Sequence, residues 1–299
     1  MQAAGRRYIW HSSRTDTFKL VYFSDIHLLA KACAEKEVLR TQQEILNDPF
    51  TFWIGGGDYA EFIGFGDTKR FDPDAVSERV TVKDLGRLGK VSYEQVRDLF
   101  APIKSKCLGL IVGNHEQQYM RRLQQEDLHG WLCTELGVAD LGYSCFMDVV
   151  FQRARIGAGT GGHIGAEMLP ALRDRSLPKA NHAGSETFRV WCHHGAGAAQ
   201  TKGGKINRLT SFMRNFDADI FFMGHVHDQM GARLQVLEAN ADCTKLTNRT
   251  KIGVVSGSYL KTYAQGVTSY GEQKGYEPTT LGAAHVQIRP DTREVWGRV

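Results

Sequence analysis

Apolar residues in this chain fall into short continuous runs, each closed by glycine or by a polar residue, rather than into one sustained period. Residues 18–23 (Phe-Lys-Leu-Val-Tyr-Phe), 50–54 (Phe-Thr-Phe-Trp-Ile), 108–112, 145–151, 188–192 and 219–223 read as strands, most apolar enough to be buried on both faces. Residues 252–255 and 284–289 read as closing strands. Helical spacing appears at 35–47, where Val38, Leu39, Ile45 and Leu46 share a face and Asp48-Pro49 supplies the stop. Further helices are expected at 117–129, carrying Arg121 and Arg122 as an exposed face, and at 206–215.

Two stretches interrupt this alternation. Residues 59–102 read as an insertion holding two helices, with Asp72-Pro73 as a cap and first-turn proline and Ser92 to Gln95 at capping-box spacing. Residues 156–186 are rich in glycine, proline and charge without a period, which reads as a loop or irregular insertion. No internal repeat is found, so the expectation is a single domain over 1–299 with insertions at about 59–102 and 156–187.

Composition narrows the class without naming a substrate. The chain is 42% hydrophobic, enough for a large core, and its net charge of +4 is too weak to mark a nucleic-acid-binding protein. The six cysteines are scattered with no Cys-x-x-Cys pair, which fits reduced, buried thiols in a cytoplasmic protein. The basic start leads into Tyr8-Ile9-Trp10-His11 rather than an apolar segment, so no secretory signal is read, and no apolar run approaches the roughly 20 residues of a membrane helix.

The chemistry is concentrated where strands end. Five apolar runs finish in Asp25/His27, Asp58, Asn114/His115, His193/His194 and His225/His227, each at a C-terminal end, where open α/β sheets place their ligands. Each has a plain reading taken alone: Asn114 as the cap of a helix starting near Glu116, Asp58 as a turn after Gly56-Gly57, His225 and His227 as a half-exposed strand. Taken together they are the residue types that hold borderline divalent metals, and seven of them suit two ions sharing one carboxylate. Such a pair activates water and clamps an in-line displacement at phosphorus, so phosphoester hydrolysis is the natural reaction.

The succession Asp25-x-His27, Gly57-Asp58, Gly113-Asn114-His115-Glu116, His193/His194 and Gly224-His225-x-His227 resembles the calcineurin-like metallophosphoesterase superfamily, with a weaker likeness to phage and prophage types. The resemblance implies a four-layer α/β/β/α sandwich. It implies a first metal on Asp25, His27 and His227, Asp58 bridging, and a second metal on Asn114, His225 and one of His193 or His194, of which His193, the first residue after the apolar run, is preferred. It further implies that His115 protonates the leaving oxygen or stabilises developing charge through Asp25. Mixed N/O ligation admits Mn, Fe, Zn, Ni or Co, with Mn expected.

Departures bear on substrate. Gly57-Asp58-Tyr59-Ala60-Glu61 lacks the arginine that follows in protein Ser/Thr phosphatases, and Val112 stands where those carry an arginine. A phosphodiesterase or nuclease acting on DNA, RNA or nucleotides is the leading expectation, with Lys202, Lys205 and Arg208 on a glycine-rich loop as candidate phosphate contacts. A phosphomonoesterase or small cyclic-nucleotide phosphodiesterase is the competing enzyme, and a non-catalytic metal-binding scaffold the competing class.

Overall fold

A computed structural model describes residues 1–63, 71–123, 127–155, 173–197, 199 and 201–299. Two sheets stack face to face between helices, the four-layer α/β/β/α sandwich. The first has the order β11-β10-β2-β3-β4, with β2 (Phe18–Phe23), β3 (Thr51–Gly55) and β4 (Cys107–Leu110) parallel and β10 (Ala284–Arg289) and β11 (Glu294–Arg298) antiparallel at one side. The second has the order β1-β5-β6-β7-β9-β8. It comprises β1 (Gln2–His11), β5 (Ser144–Ala154), β6 (His182–His193), β7 (Ile220–Met223), β8 (Met230–Ala239) and β9 (Leu246–Val255).

Strand alternation assigns the layers. In β2, Leu20 and Tyr22 point into the core between the sheets, whereas Val21 and Phe23 point to the helices outside, so both faces are apolar and the run is continuous. The outer face of the first sheet is covered by α1 (Glu35–Asn47), α3 (Leu88–Phe100), α4 (Asn114–Leu123) and α5 (Leu128–Leu136). α2 (Val82–Leu85) is a short helix preceding α3. The second sheet packs Trp191, Phe221 and Met223 against Leu209 and Met213 of α6 (Lys202–Asn215). A last short helix, α7, spans Tyr270–Gln273. Among the described residues no helix is long and apolar enough to cross a membrane.

One contact ties the two sheets at the end where the chemistry lies. Tyr22 is fully buried, stacks on Phe222 of the facing sheet at 5.2 Å, and its hydroxyl donates to the carbonyl of His193 at 2.9 Å. Burying the ring is worth about 1.5–3 kcal/mol, and the hydroxyl, which would be costly if unpaired there, fixes the end of β2 against the end of β6.

Several elements differ from the sequence reading. The helix expected at 117–129 is two, α4 and α5, the second capped by Asp127 accepting from Gly130 N at 2.8 Å. The capping box is at Thr81 and Asp84 rather than at Ser92, which is buried within α3. Asp72-Pro73 opens a single 3-10 turn, Pro73–Ala75. β6 begins at His182, inside the stretch read as irregular, while 156–172 lie outside the described residues. The glycine-rich loop before residue 206 is helical from Lys202, because Thr201 accepts from Gly204 N at 3.2 Å and caps the turn.

Candidate metal centre

The parallel strands β2, β3 and β4 of one sheet and β6 and β7 of the other end on the same rim, and each hands its chain to a sharp exit. Asp25, His27, Asp58, His225 and His227 have φ of 53°, 49°, 53°, 70° and 50°. These are five of the nine non-glycine residues with positive φ among the described residues, so strain of about 1–2 kcal/mol per residue is concentrated here. Asp and His tolerate this region better than most. The geometry folds each side chain back towards one point.

Two donor groups result. Asp25, His27 and His227 form one: His27 Nε2 lies 3.2 Å from His227 Nε2, which is 3.4 Å from Asp25 Oδ1. Asp58, His194 and His225 form the other, with His194 Nε2 3.3 Å from Asp58 Oδ2 and 2.9 Å from Asn114 Oδ1. Asp58 also groups with His27 and His115, so its carboxylate stands between the two sets. Asn114 is the first residue of α4, and the helix start is met by Asp58 Oδ1, which accepts from His115 N at 2.9 Å.

The preference for His193 is corrected. It is the last residue of β6, and strand alternation sends it to the same side as Trp191, against whose ring it stacks at 5.4 Å, with Phe212 at 5.2 Å. Burial pulls its ring down to about 4. His194, one residue past the ladder, turns inward and is fully buried, its Nδ1 donating to Gly56 O at 2.7 Å and its Nε2 left facing Asp58 and Asn114.

Electrostatics show what this donor set lacks. Asp25 and Asp58 are 0% and 1% exposed, and among the described residues neither pairs with a lysine or arginine. Burial alone would raise both carboxyls, yet facing histidines hold them down, His227 foremost for Asp25 and His194 for Asp58. In return, burial would lower His27 and His194, but Glu61 lifts His27 to about 9 and Asp58 lifts His194 to about 10. Protons on buried imidazoles thus carry the positive charge that the buried acids require, a place that divalent cations fill with better geometry.

The Calcineurin-like phosphoesterase profile matches residues 18–229. The chain belongs to the calcineurin-like phosphoesterase family. Membership implies divalent metal ions, and the Asp/His groups above are where this family member can hold them. Among solved structures the chain is similar to Vps29 of Entamoeba histolytica in complex with Zn2+, at 10% identity and TM-score 0.39, covering 94% of this chain and 97% of that one. It is also similar to a metallophosphoesterase from Sphaerobacter thermophilus, at 12% identity and TM-score 0.32, covering 94% and 86%. No curated protein matches the chain.

Three groups that organise this phosphoesterase centre escaped the sequence reading. Glu61 accepts from His27 Nδ1 at 2.9 Å, and its backbone carbonyl accepts from His115 Nδ1 at 2.5 Å, which leaves His115 Nε2 directed at the rim, 4.0 Å from Asp58 Oδ2. His115 therefore leans on Glu61 and Asp58, not on Asp25, whose oxygens accept from His225 N at 3.0 Å. Glu116 accepts from the amides of Gly113, Asp58 and Tyr59 at 2.9, 3.1 and 2.7 Å, locking the turns after β3 and β4 together. Ser258, whose hydroxyl donates to Asp25 O at 2.9 Å, braces the first turn from beyond β9. Glu116 and Glu61 close the stretches Gly113-Asn114-His115-Glu116 and Gly57-Asp58-Tyr59-Ala60-Glu61 and had that signal, though no role was read for them; Ser258 had none.

Of the candidate phosphate contacts, Lys202 and Arg208 are exposed on α6. Lys205 is mostly buried and pairs with Asp228 at 3.3 Å, directly after His227. It braces that turn rather than offering a free charge.

Proposed function

We propose that this phosphoesterase is a dinuclear enzyme preferring phosphodiesters of nucleic acids or nucleotides. The observation that carries the dinuclear reading is the carboxylate of Asp58 standing between two donor groups. An anion is the one ligand type that two adjacent cations can share without gaining repulsion. Asp25, His27 and His227 would hold one ion, Asn114, His194 and His225 the other, with Mn the preferred metal. When bound, the ions polarise phosphoryl oxygens and make water nucleophilic near neutral pH.

The chain's own residues supply the rest. His115, oriented by the carbonyl of Glu61, presents Nε2 to the leaving oxygen and donates its proton there. Asn114, being neutral, keeps the centre positive enough to receive an anionic ester. Lys202 and Arg208 support a substrate longer than a phosphomonoester, since their exposed charges on α6 follow the ligand-bearing turn after β6.

The test is turnover of bis(p-nitrophenyl) phosphate, p-nitrophenyl phosphate, plasmid and single-stranded DNA by Mn-reconstituted protein. Diester and polynucleotide cleavage is expected; failure on every diester with monoester turnover retained leaves a phosphomonoesterase, and no turnover with two ions bound leaves a scaffold. Asp58→Asn is expected to lose metal and activity together. His115→Ala should keep both ions and lose about 10²-fold or more in kcat; unchanged kcat would remove His115 from its role.

A further inference from the structure

We propose a third metal site, distinct from the dinuclear centre, on His129, Cys133 and Asp140, suited to zinc. His129 and Cys133 lie four residues apart on α5 and so share one face of the helix, and Asp140 reaches them from the connection that leads to β5. His129 Nε2 is 3.2 Å from Asp140 Oδ1 and 3.6 Å from Cys133 Sγ, and the three ligand atoms lie within 4.8 Å of one another. These are the edges of a coordination tetrahedron: bonds of about 2.0–2.1 Å to nitrogen, 2.3 Å to sulfur and 2.0–2.2 Å to oxygen place N···S about 3.6 Å and N···O about 3.3 Å apart. A soft thiolate with imidazole and carboxylate selects zinc over the harder cations that an all N/O set accepts.

His129 Nδ1 is buried and has no hydrogen-bond partner among the described residues, so the polar contacts of the ring there are those of Nε2 with Asp140 and Cys133. A metal on Nε2 would bring the Asp140 carboxylate and the Cys133 thiolate onto one cation. His129 and Cys133 are each 4% exposed, whereas the Asp140 side chain is 44% exposed. Asp140 Oδ1 also accepts from Gly142 N at 2.7 Å, which fixes the carboxylate. The site thus opens to solvent on one side, where a fourth ligand enters. Bound zinc would clamp α5 to the chain entering β5, behind Tyr59, whose ring lies parallel to His129 with centroids 6.4 Å apart.

Cobalt separates this site from the dinuclear centre, because Cys133 is the one sulfur ligand in either. The full chain is stripped with chelator and titrated with Co(II) while the near-ultraviolet thiolate-to-cobalt charge-transfer band is followed. The expected result is a saturable band in the wild type that persists in Asp58→Asn and in Cys243→Ser, disappears in Cys133→Ser, and needs about 10-fold or more higher cobalt in Asp140→Asn. Circular dichroism monitors folding of each variant; should Cys133→Ser misfold, the exposed Asp140→Asn carries the comparison. No charge-transfer band in the wild type at saturating cobalt, a band surviving in folded Cys133→Ser, or an unshifted Asp140→Asn titration overturns the proposal.

Discussion

Lys106 and Lys251 show how a residue can be buried with its charge and still stabilise the fold. Both are 7% exposed, and each aims its ammonium at the C-terminal end of a neighbouring helix, Lys106 from the 3-10 turn before β4 and Lys251 from β9. Lys106 donates to the carbonyls of Ile45, Leu46 and Asp48 at 2.5, 2.9 and 2.8 Å, closing α1, which has no basic residue in its last turn. Lys251 does the same for α6 through Met213 and Phe216 at 3.0 and 2.9 Å. Lys106→Met leaves those carbonyls without a donor and is expected to cost about 1–3 kcal/mol in urea denaturation. The exposed Lys36→Met should stay within about 0.5 kcal/mol, and equal effects would refute the capping role. His285 acts in the opposite sense: burial, with Lys19 and Arg298 nearby, lowers it to about 4. The unfolded chain then takes up its proton first, so stability contributed by neutral His285 is complete above pH 6.5 and falls as pH drops towards 4. His285→Gln should flatten that part of the acid limb in thermal melts at pH 4–7, and an unchanged profile would show the proton uptake lies elsewhere. Residue types at the centre were legible from sequence because few side chains bind metals. Choosing between His193 and His194 was not, because it turned on whether the ladder ended before or after residue 193.

At the scale of elements, the turns matter more than the strands they end. Gly113 packs so closely that a Cβ there would overlap the amide and carboxylate of Asp58, with Glu116 Oε2 at 2.6 Å. Gly113→Ala therefore has to displace Asp58 or break the Glu116 clamp. The expected outcome is an intact fold by circular dichroism with Mn affinity reduced about 10-fold or more by calorimetric titration, the range seen when groups supporting a ligand are lost. Undiminished affinity would mean the turn has slack. Interior strands such as β2 and β7 were readable because both faces are buried, which forces a continuous apolar run. β1, β8 and β11 were not. β1 and β8 are mostly exposed or half-buried at the two edges of their sheet, and β11 is the short edge strand of the other, so their pattern competes with ordinary surface sequence. α4 and α5 merged in the reading because the break between them rests on a cap, Asp127, not on a change of period.

For the whole molecule, buried acids gather at one rim of the sandwich. Asp25, Asp58, Glu61 and Glu116 converge there, and burial raises Glu116 above the usual carboxylate range. Filling the rim with cations should stabilise the fold by mass action, about 2.7 kcal/mol when free metal is 100 times Kd. Mn is thus expected to raise Tm by several degrees in the wild type and not in Asp58→Asn, read by differential scanning calorimetry after chelator treatment; an equal rise in both would place the stabilising metal elsewhere. The sequence by itself determined the alternation of strands and helices, and that five strands end in Asp, Asn or His, because burial on two faces and the coincidence of five such endings both leave local marks. Only the tertiary structure decided that His194 rather than His193 turns inward, that Glu61 and Glu116 orient the centre, and that Lys205 is already paired. These depend on which groups from distant turns meet at one rim, and no local pattern records contacts made across the gap between two sheets.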